Sequence, residues 1–200
     1  MPTFNQSQFL SYCQSLYKTD TAYDAKQTDR LNRHRHVAPD AAEFLANTAT
    51  ISQPKKVLEI GTSTGFSTLW LAYGLRHHAE CDFVSLDIDK SRSAAAKTHL
   101  QNTGLSASVR LIVQDALVFL NDNTDIFDLI FLDAERQYYL DYIEGLHKAL
   151  SVGSVLIVDN VLSHRDEVSA FLAAFTNDPR YLCHTLDMGA GLFMAVCQEP

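Results

Sequence analysis

Two hydrophobic periods alternate along this chain. Short, near-continuous apolar runs recur at residues 57–60, 82–86, 109–113, 127–132 and 154–158, with the length and branched-residue content of buried strands. Between them, apolar residues return at helical spacing. Phe9, Leu10, Cys13, Leu16 and Tyr17 mark a helix within residues 4–17, and Pro39 and Asp40 open another through Phe44 and Leu45; a proline and an acidic residue both suit a helix start. Phe66, Leu69 and Trp70 continue the pattern, followed by residues 91–104 and the segment carrying Leu117 and Leu120. Strands alternating with helices predict an α/β domain built on a doubly wound, mostly parallel sheet. Ligands of such sheets bind at the carboxyl ends of the strands, so the residues that end each run deserve the closest reading.

The first run ends in Glu59, Ile60 and Gly61, passes through Thr62, Ser63 and Thr64, and reaches Gly65 before the helix begins. Two glycines allow close approach of the backbone to a ligand, and the helix start offers free N–H groups to an anionic one. The spacing does not match the dinucleotide fingerprint Gly-x-Gly-x-x-Gly. Glu-x-Gly-x-x-x-Gly instead resembles the first motif of S-adenosylmethionine (SAM) methyltransferases. The second run ends in Asp87, roughly 20 residues beyond the turn, where a carboxylate can accept both ribose hydroxyls of a nucleoside. Asp89 reads better as the cap of the following helix. Asp115, at the third strand end, can read an adenine amino group, cap the next helix, or do both. The fourth and fifth runs end in Asp133 and in Asp159 with Asn160. Two carboxylates and an amide oxygen, with no sulfur or imidazole, suit Mg²⁺ or a similar hard cation.

Composition narrows the partners. The 200 residues fit a single domain, divided here into an N-terminal helical or lid extension over 1–36 and a catalytic core over 37–200. A formal net charge of −8 disfavours nucleic acid, whose binding rests on clustered cations. The scattered Cys13, Cys81, Cys183 and Cys197 suggest neither a cysteine zinc site nor a disulfide framework, and fit a reducing cytoplasm. No basic, apolar leader opens the chain and no uncharged run reaches membrane-spanning length, so neither export nor a membrane is expected. Arg30, Arg33, His34, Arg35 and His36 crowd the end of a polar stretch. That stretch reads as a solvated face, or else as a mobile cover that recognises an acidic substrate.

With these landmarks the chain resembles the cation-dependent class I O-methyltransferases typified by catechol and caffeoyl-CoA O-methyltransferases. The resemblance is carried by VAPDAAEFLA, VLEIGTSTGFST, VSLDID, FDLIFLDAERQYYLDY, VLIVDNVL and GAGLFMAV, across residues 37–196. It implies a Rossmann-like fold with seven strands, the last antiparallel, a homodimer, and methyl transfer from SAM to a small catechol-like or other vicinal hydroxyl acceptor. By the same resemblance Val37, Glu59, Gly61, Thr62, Ser63, Gly65, Ser67, Asp87, Asp115 and Asp133 would surround SAM. Asp133, Asp159 and Asn160 would hold Mg²⁺, with Tyr139 and His164 beside the acceptor and Asp133 and Arg136 at the reacting centre. The chain departs from the pattern where Asp133, Ala134, Glu135, Arg136 replace the family's Asp-Ala-Asp-Lys, because arginine cannot accept the acceptor's proton. Ser63 also stands where an aromatic residue is common. Three other readings remain: a SAM methyltransferase without metal, a non-catalytic SAM-binding protein, and an NAD-linked oxidoreductase, the last disfavoured by the glycine spacing.

Overall fold

The computed structural model describes residues 4–29, 32–78 and 80–199. In chain order the elements are α1 (Gln6–Asp24), α2 (Pro39–Ser52), β1 (Lys56–Ile60), α3 (Phe66–Leu75), β2 (Asp82–Asp87), α4 (Lys90–Thr103) and β3 (Arg110–Val113). They continue with α5 (Ala116–Asp122), β4 (Leu129–Leu132), α6 (Tyr139–Ala149), β5 (Val155–Val158), α7 (Arg165–Thr176), β6 (Tyr181–Leu186) and β7 (Leu192–Cys197). The seven strands lie in the order β3-β2-β1-β4-β5-β7-β6. The first five pair in parallel, and β7 runs antiparallel to both β5 and β6. This is the expected Rossmann-like sheet with its reversed last strand. The order changes direction between β1 and β4, so their carboxyl ends diverge from their crossover helices and leave a crevice.

Strand alternation divides the core. Val57, Phe83, Leu129, Phe131 and Ile157 face a cluster with residues of α1 to α4, whereas Leu58, Ile60, Ile130, Leu132 and Val158 face α5 to α7. A strand buried on both faces has no polar side, which is why these runs read as continuous. β4 starts two residues later than its apolar run. Phe127 is buried, but its N–H goes to the Ala149 carbonyl at the end of α6 rather than to the sheet ladder.

The first helix is longer than its apolar pattern. It starts in a capping box, with Asn5 and Gln8 exchanging side-chain-to-backbone hydrogen bonds, and runs seven residues past Tyr17 to Asp24. Phe9, Cys13, Leu16 and Asp20 share its buried face. Phe9 stacks on Tyr73 at 3.9 Å between ring centroids and meets Trp70 edge-on. Among the described residues no helix is long and apolar enough to cross a membrane.

Candidate active site

A cleft of about 360 Å³ opens at the carboxyl ends of β1, β2, β4 and β5, within the size range of small-molecule sites. The glycine turn forms its floor. Gly61 and Thr62 donate backbone hydrogen bonds to the Leu86 carbonyl, and Ser63 donates its N–H to Asp87 Oδ2 at 2.7 Å. Gly61 has φ +107°, and a Cβ there would lie 2.1 Å from the Asp133 carbonyl oxygen. Only glycine lets the turn pass this close to the end of β4.

Asp87 lines the cleft with both oxygens engaged by backbone N–H groups, from Ser63 at 2.7 Å and Asp89 at 2.8 Å. Each oxygen retains a lone pair for a further donor. Asp89 caps α4 through Ser91 and Arg92. Asp115 caps α5 through the Val118 N–H and also lines the cleft, so capping does not remove it from the site.

At the other end, Asp133, Asp159 and Asn160 converge. The Asn160 amide nitrogen lies 2.9 Å from Asp133 Oδ1 and 3.1 Å from Asp159 Oδ2. Asp159 is 2% exposed, and its Oδ1 is buried with no hydrogen-bond partner. Burial, and for Asp133 the adjoining Asp159 charge, pushes both carboxyl groups above the usual carboxylate range, with Arg136 pulling the other way. An orphaned carboxylate oxygen within a buried acidic pair fits a divalent cation. Asn160 serves equally, since its amide oxygen and nitrogen exchange places by rotation about one terminal torsion.

The structure separates the remaining site expectations. Gly61, Ser63, Asp87, Asp115, Asp133, Arg136, Asn160 and His164 line the cleft; Val37, Glu59, Thr62, Gly65, Ser67, Tyr139 and Asp159 do not, Asp159 lying buried behind Asn160. Glu59 shares a strand face with Val57, so its carboxylate points beneath α3, where it accepts hydrogen bonds from Ser67, Thr68 and Ser85 at 2.5 Å each. Tyr139 is 1% exposed and its hydroxyl accepts the Ala134 N–H; Tyr138 and Tyr142 stand on the cleft wall in its place. Their positions are the helical continuation of the same segment, i−1 and i+3 from Tyr139, and sequence spacing alone could not choose among them. Arg136 is only 7% exposed and donates to Glu167 of α7 at 2.9 Å.

Residues 33–36 form a third wall of the cleft rather than a solvated face; Arg30 lies outside the described residues. Asp24 accepts the His34 and Arg35 N–H groups at 2.7 and 2.8 Å, turning the chain back toward the site. The His34 carbonyl accepts from Ser63 Oγ, and Arg35 bridges to Glu135 at 2.5 Å. The sequence pattern assigns no role to Asp20 or Thr64, and marks Glu135 only as a departure from the family's Asp-Ala-Asp-Lys. Asp20 did carry a signal: it continues the 9, 13, 16 stripe, which places a carboxylate on a buried helical face.

Comparison with known proteins bears on this geometry. The O-methyltransferase family model matches residues 14–196. The chain belongs to that family. Among curated relatives, a catechol O-methyltransferase of Mycobacterium tuberculosis is 34% identical over 142 residues, covering 70% of this chain and 62% of that protein. A catechol O-methyltransferase of Niastella koreensis is 29% identical over 130 residues, covering 63% and 58%. The matches therefore span about three fifths of those relatives' length. A solved O-methyltransferase of Bacillus cereus in complex with SAH is 26% identical, with a TM-score of 0.76 over 94% of this chain and 91% of that one.

Proposed function

We propose that this family member is a SAM-dependent O-methyltransferase acting on a small vicinal hydroxyl acceptor such as a catechol, with a divalent cation held by Asp133, Asp159 and Asn160. The convergence of those three side chains on the Asn160 amide, with Asp159 Oδ1 left unpartnered, carries the reading. The names and the SAH complex of the relatives support it. SAM supplies an electrophilic methyl group. A bound cation supplies Lewis-acid activation of the acceptor hydroxyl and fixes its position.

The chain's own groups do the rest. Asp87 receives ribose hydroxyls, and its fixed backbone hydrogen bonds keep the carboxylate from turning away. Asp115 lies within the same cleft for the adenine amino group. Arg136 retains its proton and therefore steadies negative charge near Asp133 and Asp159 without serving as a base. His164, on the wall next to Asn160, is the titratable group placed to receive a proton. Arg33, Arg35, Arg92 and Arg136 line the cleft together with Asp87, Asp115, Asp133 and Glu135, so its lining carries charges of both signs.

Labelled SAM with a panel of catechols, assayed with Mg²⁺ and with EDTA, tests the reading. Methylated product should form, disappear with EDTA, and fall at least about a hundredfold in Asp159→Asn, more than an outer-shell disturbance would cause. Product that persists in EDTA would refute the cation's role and leave SAM transfer standing.

A further inference from the structure

A second cluster of ligand-type side chains lies on the opposite wall of the cleft. Asp20, His34 and His36 each present one donor atom, and the three atoms lie within 4.8 Å of one another. His34 Nδ1 is 2.8 Å and His36 Nε2 is 3.0 Å from the same oxygen, Asp20 Oδ2. His34 Nδ1 is buried, and beyond this contact with Asp20 no hydrogen bond satisfies it. Thr64 Oγ1 adds a fourth polar atom, 2.7 Å from His36 Nε2 and 3.2 Å from Asp20 Oδ2.

The rings are held in place. His36 stacks on Phe66 at 4.8 Å with planes 8° apart, and His34 on Tyr23 at 4.4 Å with planes 16° apart. The His36 side chain is 4% exposed and that of Asp20 10%. Ligands of a tetrahedral zinc ion stand about 3.3 Å apart, given bond lengths near 2.0–2.1 Å. The two Asp20–histidine distances fall short of that by a few tenths of an ångström, and all three donor atoms lie within 4.8 Å of one another, so an ion would enter with side-chain movements alone.

We infer that Asp20, His34 and His36 form a binding site for a borderline transition-metal ion of the Zn²⁺ class, separate from the oxygen-only group at Asp133, Asp159 and Asn160. Two imidazoles and one carboxylate select such ions over Mg²⁺, which prefers oxygen ligands. The ion would satisfy His34 Nδ1 and neutralise the Asp20 carboxylate. It would also join three parts of the chain, since Asp20 belongs to α1, the histidines to the cleft wall, and Thr64 to the glycine turn. Its role is to fix the wall against which the cofactor pocket closes, and no chemical step is assigned to it.

The test uses the full chain, stripped of metal and then equilibrated with Zn²⁺ in the presence of excess Mg²⁺, with bound zinc measured by elemental analysis. Co²⁺ in place of Zn²⁺ gives visible absorption whose intensity reports a four-coordinate site. One equivalent of zinc should bind, raise the melting temperature, and remain in Asp159→Asn. In His36→Gln, and separately in His34→Gln, affinity should fall by more than the roughly 10- to 100-fold typical of losing an outer-shell partner. The zinc-induced rise in melting temperature should vanish in both, even where the metal-free variant melts like the parent. Failure of the parent to retain zinc, zinc binding indifferent to both histidines, or loss of zinc in Asp159→Asn would each overturn the assignment and leave a histidine–aspartate ion-pair cluster.

Discussion

Two carboxylates one strand apart in the sheet have opposite fates. Asp87 ends β2 at the cleft, whereas Glu59, on β1, is wholly buried and points away from it. Three hydroxyl donors stabilise the Glu59 carboxylate, yet burial outweighs them and lifts its pKa from an ordinary 4.5 to about 7. The folded state thus holds a proton that the unfolded chain has released between those values. Where the native state binds more protons, stability falls as pH rises. Glu59 should therefore lower stability progressively from about pH 4.5 to about pH 7, by a total of about 3 kcal/mol, and contribute no further slope above it. Glu59→Gln keeps the shape and can exchange hydrogen bonds with rotatable hydroxyls. Urea unfolding across that window should show a shallower pH dependence in the variant than in the parent; parallel curves would show that Glu59 does not titrate there.

At the level of elements, the support beneath the glycine turn depends on how closely α2 meets α3. Gly74 lies in α3, and a Cβ at that position would stand 2.4 Å from the Ala46 carbonyl oxygen of α2. Thr50 of α2 also donates to the Gly74 carbonyl at 3.1 Å. In an isolated helix, Gly→Ala would help by about 1 kcal/mol. Here the contact is with backbone, which cannot rotate aside, so we expect Gly74→Ala to destabilise by about 2–4 kcal/mol, measured as a lower denaturant midpoint. A stabilised variant would mean that α2 shifts freely. This helix contact was invisible in the sequence because a glycine inside a helix pattern does not say what approaches it. The continuous apolar strands, their terminal aspartates and the Pro39 helix start were legible, since each follows from local chemistry. The full length of α1 was not, because its last turns are held by Asp20 and by Asp24 bonding to residues ten and eleven positions later. Likewise, the family resemblance pointed to the segment after Asp133 but not to which of its three tyrosines face the cleft.

Across the whole molecule, the cleft is assembled from segments far apart in sequence: residues 33–36, Gly61 and Ser63 of the turn, the end of β2, residues 133–136, and Asn160 with His164. The Arg35–Glu135 bridge spans about half the chain. The N-terminal wall is also continuous with the core, because Phe9, Cys13 and Leu16 of α1 pack in the same cluster as Val57 and Phe131 of the sheet. A ligand filling this cleft touches walls contributed by both halves and should stabilise the fold as one unit. By mass action, SAM or SAH at a hundredfold excess over its dissociation constant adds about 2.7 kcal/mol, which for 200 residues raises the melting temperature by about 5–10 °C. Amide exchange should slow at residues 33–36 as well as at the turn, since Ser63 bonds the His34 carbonyl. Asp87→Ala removes the proposed acceptor for ribose and should abolish most of the ligand-induced rise. An equal rise in that variant would place the nucleoside elsewhere, and protection confined to the turn would show that the N-terminal wall closes independently of the ligand.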